Sequence, residues 1–209
     1  ELADTSLVVQ ESTLCSDELR EAVETQQPRR LLLNIKWGLS ATGVTCLNAL
    51  AVPRLYLTGC LYRSHRKEDQ CDGDAELAAI IAESDLRGRV FGLAVSLSKS
   101  QSVQDLGKLP MLEYLAIVTG RDAQPDANLN ALPFDALANV RYFDITNWTS
   151  SSWGVAAEQK FLARLHTLRW NGSLKQPLAA CQLQRLSDGR FEDEDAVALA
   201  GCSQLVELS

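Results

Sequence analysis

Cysteine and histidine side chains are the groups of this chain best suited to hold a metal ion. Cys46, Cys60, His65 and Cys71 follow one another closely and together supply four soft ligands. Their spacing contains no C-x-x-C pair, the pattern typical of structural zinc sites. We therefore interpret Cys60 and Cys71 as a disulfide that closes a polar loop, with an unpaired surface thiol as the alternative. No metal ion and no cofactor is expected.

The sequence contains few of the residue patterns that nucleophilic catalysis requires. The chain has two histidines, His65 and His166, and no G-x-S-x-G or Cys/His signature surrounds either of them. Asp122, Asp126 and Asn128 lie in an oxygen-rich loop, but the glycine and the bidentate glutamate of an EF-hand are missing at their positions. A glycine-rich phosphate loop is also missing. The sequence predicts a protein without enzymatic activity.

Charge and hydropathy argue against two further classes of interaction. The net charge is -7, which disfavours binding to nucleic acids or to anionic membrane surfaces. No run of about 18 apolar residues occurs, so we expect no direct membrane insertion. Because 46% of the 209 residues are apolar, the chain has enough core-forming side chains for a globular or solenoidal fold.

Repeated apolar positions indicate the elements that must carry any functional side chains. The template apolar-x-x-apolar-x-apolar fits five rows, beginning at Val52, Val90, Leu112, Val140 and Leu165, with partial rows on either side. Helix-like stretches precede most rows, so strands and helices alternate at intervals of roughly 20 to 30 residues. This rhythm is typical of a solenoid, in which each unit covers the exposed edge of its neighbour. The middle residues of the rows, which we expect to stack in one core, are Leu33, Leu55, Leu93, Leu115, Phe143, Leu168, Leu186 and Leu208. The helix-like stretches are 75–86, 101–109, 132–140, 155–165 and 192–201.

At these rows the chain resembles the leucine-rich repeat family, whose unit has the form L-x-x-L-x-L-x-x-N/C-x-L. The closest match is 191–208, where an acidic helix start precedes Cys202-x-x-Leu205-x-x-Leu208, as in the cysteine-containing subclass. Only Cys60 occupies the Asn/Cys position of the family, so we expect irregular repeats. The resemblance implies an α/β fold, a right-handed solenoid with a parallel concave sheet and a helical convex side. A receptor L-domain, a related short solenoid, is the nearest alternative.

The resemblance also bears on the C-terminal cysteines. Cys181 and Cys202 occupy equivalent places in successive repeats. In this family such cysteines are usually buried thiols that pack as small apolar side chains. Cys15 and Cys46, near the N-terminal end, are expected to form a disulfide instead.

The domain organisation follows from where the template fits. Residues 1–27 do not fit it, and 16–25 predict an amphipathic helix, so we interpret 1–27 as an N-terminal helical cap. Residues 28–209 form the irregular repeats, with a charged insertion at 61–74. The chain stops at Ser209 inside an apolar run, and we expect the repeats to be truncated there.

Tyrosine and arginine are concentrated on one predicted face of the sheet. Neighbouring side chains in a strand point to opposite faces, so residues beside the middle apolar positions should lie on the concave surface. Three of the four tyrosines fall there. Tyr and Arg are enriched at protein interfaces, although strands also favour tyrosine in general. The predicted binding residues are Arg54, Tyr56, Tyr114, Tyr142, Asp144, Arg169 and Arg185.

Glycosylation sequons and cysteine number indicate the compartment. Asn147 and Asn171 permit N-glycosylation, and six cysteines permit a disulfide framework, which together favour an extracellular or cell-surface glycoprotein. The sequence therefore predicts a noncatalytic module that binds another protein on its concave face, as part of an exported or cell-surface receptor. The alternative is a cytoplasmic leucine-rich-repeat adaptor that recruits protein substrates and keeps its thiols free.

Overall fold

A computed structural model gives the fold of ten segments of the chain. The described residues are 6–35, 40–58, 81, 84–96, 104–118, 132–146, 160–170, 181–188, 199–200 and 202–208. The Cys60 and Cys71 pair, the 61–74 insertion and both sequons, Asn147 and Asn171, lie outside them.

The described segments form one nine-stranded sheet in which every strand pairs with the next strand of the sequence, always in parallel. Such an order requires each connection to return to the same end of the sheet, which is the path of a solenoid-like α/β fold. The predicted parallel sheet is confirmed. The strands are β1 (Ser6–Val9), β2 (Leu31–Ile35), β3 (Leu55–Thr58), β4 (Val90–Ser96), β5 (Tyr114–Val118), β6 (Tyr142–Thr146), β7 (Thr167–Trp170), β8 (Arg185–Asp188) and β9 (Glu207–Leu208).

Three α-helices lie between the first three strands: α1 (Glu11–Leu14), α2 (Asp17–Gln26) and α3 (Ala41–Ala49). The Ser16 hydroxyl accepts a hydrogen bond from the Leu19 N–H and so caps the start of α2, while Ser40 caps α3 in the same way. Short 3-10 helices, Asp85–Gly88 and Leu106–Lys108, precede β4 and β5.

The predicted helix at 132–140 is wrong, because these residues form successive turns. The N–H groups of Ala136 and Leu137 both donate to the Pro133 carbonyl, and the Val140 N–H donates to the Leu137 carbonyl. The turns still bury Leu132, Phe134, Leu137 and Val140. The apolar spacing that predicts a helix is therefore also compatible with successive turns that bury the same side chains. In this segment between β5 and β6, the expectation of a helix does not hold.

The core is built on one row of side chains that runs through the sheet in register. Each member of the row pairs with its counterpart on the next strand, and all are buried except the last, which is 54% exposed at the edge of the described sheet. Phe161 packs edge-on against Phe143 with ring centroids 5.3 Å apart, and so widens the core beneath β6. The row is Leu33, Leu57, Leu93, Leu115, Phe143, Leu168, Leu186 and Leu208.

Leu57, not the predicted Leu55, occupies the β3 place in this row. Leu55 pairs with Val90, whereas Tyr56 pairs with Gly92, so Phe91 is an extra residue at a β-bulge. A shift of two residues along a strand keeps the same side chains on the buried face. The alternating pattern therefore predicts the correct face here but not the correct register.

The N-terminal segment contributes a strand that the sequence analysis missed. β1 pairs with β2 along its whole length, so residues 6–9 extend the sheet before the capped helix α2 begins. Leu7, Val8 and Val9 form a short continuous apolar run, which fits no repeat template and cannot be assigned from periodicity alone.

Two disulfides among the described residues join equivalent or neighbouring units, and the prediction of disulfide bonds is confirmed. One joins Cys15 to Cys46, with Cα atoms 5.1 Å apart. The other joins Cys181 to Cys202 across 5.0 Å, so the interpretation of these two as buried free thiols is wrong. Parallel units in register bring equivalent positions to about 4.8 Å, which lies within the Cα separation that a disulfide spans.

Arg89, the residue before β4, forms hydrogen bonds with the C-terminal end of α3 and the residues that follow it. Its guanidinium donates to the carbonyl oxygens of Leu50 at 2.7 Å, Val52 at 3.2 Å and Asn48 at 3.1 Å, and also to the Asn48 side chain. The last carbonyls of a helix have no partner within the helix, and a cation stabilises that end. One planar side chain thus satisfies several acceptors at once.

Removing a central core side chain tests the stacked row. Leu115→Ala should lower the free energy of unfolding by about 2 to 5 kcal/mol, because it leaves a cavity between Leu93 and Phe143. Leu208→Ala removes the same atoms at the exposed end of the same row and should cost less than about 1 kcal/mol. Urea unfolding of both variants measures the difference, and equal costs would contradict the stacked core.

Arg89→Lys tests the guanidinium at the end of α3. A lysine keeps the charge but loses the planar fork, so the free energy of unfolding should fall by about 2 kcal/mol. Arg87→Lys, at an exposed neighbouring site, is the matched control and should change it by less than about 0.5 kcal/mol. Thermal unfolding of the pair decides the point, and indistinguishable melting temperatures would refute the role of Arg89.

Candidate functional site

Side chains that alternate with the core row form the second face of the sheet, which we call the outward face. Six of the seven predicted binding residues lie in two register rows of this face, and Arg54 directly precedes β3. The first row holds Leu32, Tyr56, Gly92, Tyr114, Tyr142, Thr167, Arg185 and Glu207. The second holds Asn34, Ala94, Ala116, Asp144, Arg169 and Ser187 among its members.

The middle of the outward face is mostly buried, and of its described residues only Tyr114 is partly exposed. Ala94 and Ala116 are both buried, although their strands turn them away from the core row. Gly92 lies directly beneath the Tyr56 ring, and a Cβ atom at this position would collide with that ring. Exposed side chains are therefore found in two places, one on each side of the middle.

The N-terminal patch consists of the exposed Leu32 and Arg54, the half-buried Tyr56 and, beneath Arg54, the buried Phe91. The Arg54 guanidinium lies over the Phe91 ring, with its central carbon 4.6 Å from the ring centroid, in a cation–π contact. Phe91 is the extra residue of the bulge, so the contact of Arg54 with this ring depends on the bulge. Phe91 is thus covered by Arg54, and the Tyr56 ring lies against the backbone of Gly92.

The C-terminal patch consists of Tyr142, Asp144, Arg169, Arg185 and Glu207. Tyr142 is 46% exposed and meets the edge of the His166 ring, with centroids 6.5 Å apart. Arg169 Nη1 lies 3.6 Å from Asp144 Oδ2, and Arg185 Nε lies 3.1 Å from Glu207 Oε2. Neighbouring strands bring each of these pairs into register.

Asp144 is the electrostatically unusual member of this patch. Its Oδ1 atom is buried and has no hydrogen-bond partner in the described structure. Burial raises the pKa of this carboxyl, and the positive charge of Arg169 offsets only part of the effect. Burial also raises the pKa of the adjacent, half-buried Tyr114, with the Asp144 charge adding to the shift and Arg169 opposing it.

Several residues of the two patches were not predicted as binding residues. Glu207 is not among the predicted binding residues, because the sequence pattern of the last repeat uses only Leu205 and Leu208. Strand alternation nevertheless places Glu207, the neighbour of Leu208, on the outward face. Phe91 reaches this face only because of the bulge, for which the sequence has no evident signal. Leu32 is apolar, whereas the predicted binding residues are charged or are tyrosines. His166 precedes β7 and contacts Tyr142 from outside the patch.

Comparisons with known proteins return no relative. No protein-family model, no curated protein and no solved structure matches this chain. Within the described ranges, no three His, Cys, Asp or Glu side chains are grouped so as to hold a metal ion. None of the helices described is long and apolar enough to cross a bilayer. The two patches are thus the basis for an inference about function.

Asp144→Asn tests the cost of burying this carboxylate. The native pKa lies above the ordinary value of 3.8, so protonation stabilises the fold below that value and the benefit is lost as pH rises through the native pKa. The variant should therefore be more stable than the parent at pH 7, and the advantage should vanish near pH 3.8. Urea unfolding across this range measures it.

Asp135→Asn is the control for this titration, because Asp135 is an exposed carboxyl outside the patch. Its substitution should leave the pH dependence of stability close to that of the parent. If Asp144→Asn were less stable than the parent at pH 7, Arg169 would outweigh burial and the assignment would be wrong.

Proposed function

We propose that this chain is a noncatalytic protein-binding module, an irregular leucine-rich-repeat solenoid that binds its partner with the outward face of its sheet. The sequential parallel strand order and the in-register row of mostly leucine side chains support this architecture. In such a solenoid the outward face is the concave one, a rigid surface suited to protein recognition. The N-terminal α2, with its Ser16 cap, is the candidate cap of the core.

The observation that carries the proposal is the C-terminal patch. It places an exposed tyrosine beside two exposed arginines on three neighbouring strands. Tyr and Arg dominate the energetics of protein interfaces, since each combines a large contact area with directional hydrogen bonding. Because the strands hold these side chains, little ordering of the backbone is needed when a partner binds. Tyr142 is the proposed anchor.

The compartment we propose is extracellular or the cell surface. Disulfides persist mainly in oxidising compartments, and two are present among the described residues. Cysteines 181 and 202, which in a cytoplasmic adaptor would be free thiols, are here bonded to each other. Intact mass of the native protein with and without reductant separates a receptor fragment from such an adaptor.

Truncation of the anchor tests the binding function. Once a partner is captured from the native source, Tyr142→Ala should weaken its affinity about 30-fold, equivalent to about 2 kcal/mol, because a hot-spot ring is lost. The fold should be retained, since the ring projects away from the core row. Affinity is measured by surface plasmon resonance on each purified variant.

Met111→Ala is the matched control, because it removes an exposed apolar side chain from a turn outside both patches. It should leave the affinity unchanged. Tyr114→Ala is expected to lower stability as well as affinity, since this ring is half-buried. A partner that binds Tyr142→Ala as tightly as the parent would refute the use of this face.

A further inference from the structure

The Asp144 carboxylate lacks full compensation for its charge. Arg169 approaches only one of its oxygens, at 3.6 Å, which is longer than a hydrogen bond. The other oxygen, Oδ1, has no donor from the residues that the structure describes. A partly buried carboxylate in this state gains strongly from any further donor, because such charge-assisted bonds are short and strong.

Aromatic rings flank this carboxylate. Tyr142 lies two residues earlier on the same strand, and Tyr114 is the register partner of Tyr142 on β5. A cation near Asp144 would therefore meet the negative faces of phenol rings as well as the carboxylate. Tyr142 is sufficiently exposed, at 46%, to lie against such a group.

The net charge of -7 and the electron-rich faces of the tyrosine rings favour a cation over an anion at this point, and the partner's group must lie on the side of Asp144 away from Arg169. Arg185 is engaged by Glu207 at 3.1 Å, so its charge is already matched. Arg169 is 62% exposed, but an anion that approached it would meet Asp144 beside it and a chain of net charge -7. The rings and the unpaired carboxylate oxygen offer nothing to an anion.

We propose that the Asp144 site binds a cationic side chain, the lysine or arginine of a partner protein, between the carboxylate and the Tyr142 ring. The proposal rests on the proposed function of the outward face and adds the chemistry of the contact. The Asp144 side chain is 22% exposed. Because Oδ1 is buried, the partner's donor must reach Oδ2, the oxygen that Arg169 approaches without a hydrogen bond.

Blocked pentapeptides provide a direct test with defined probes. The sequence Gly-Ser-Arg-Ser-Gly, acetylated and amidated, is titrated into the isotope-labelled protein, and amide resonances of Tyr142 and Asp144 are followed by NMR. The arginine peptide and its lysine analogue should shift both resonances saturably. Analogues with norleucine or glutamate at the centre should not.

Two variants complete the test. Asp144→Asn should weaken binding of the arginine peptide at least 10-fold while the fold is kept, and Asp135→Asn, away from the patch, should leave it unchanged. Raising the salt concentration should also weaken binding, since the contact is between charges. Binding of the glutamate peptide, or no shift with any peptide, would overturn the proposal.

Failure of this proposal is distinguishable from failure of the proposed function. A protein partner that loses affinity on Tyr142→Ala but binds Asp144→Asn as well as the parent would keep the binding face and overturn the cationic contact. A partner indifferent to both substitutions would overturn both.

Discussion

In-register stacking of parallel strands is the constraint on which the rest of this structure depends. A strand cannot satisfy its own N–H and C=O groups, and the apolar residues of one unit leave the sides of its leucine open to the next unit. Each strand therefore needs its neighbour both for hydrogen bonds and for burial. The central member, Leu115, lies between Leu93 and Phe143 for this reason. Where the described sheet ends, Leu208 is left half exposed.

The same register determines what the outward face can present. Asp144 lies beside Arg169, and Arg185 beside Glu207, because their strands are neighbours without offset. At β4 one extra residue shifts the register, and Phe91 then becomes the support of Arg54. The face is thus divided into two patches, and the C-terminal one combines an exposed ring with an undercompensated carboxylate.

Sequence patterns predicted the faces of the strands well and their register less well. Alternation placed Tyr142, Asp144 and Arg169 on one side because a two-residue period is strict in a strand. Alternation cannot show which of Leu55 and Leu57 pairs with Leu93, since both side chains are buried on the same face. Ala94 is buried on the outward face, although strand alternation alone predicts an accessible side chain there. The proposed binding role of the patches remains a prediction.

Amide-to-amide nuclear Overhauser effects in perdeuterated protein test the register most directly. Parallel, unshifted strands bring the backbone amides of register partners close together. In-register stacking predicts cross-strand contacts that connect the Leu115, Phe143, Leu168 and Leu186 segments in that order. Contacts that skip a strand, or that show the antiparallel pattern between any two of these segments, would contradict it.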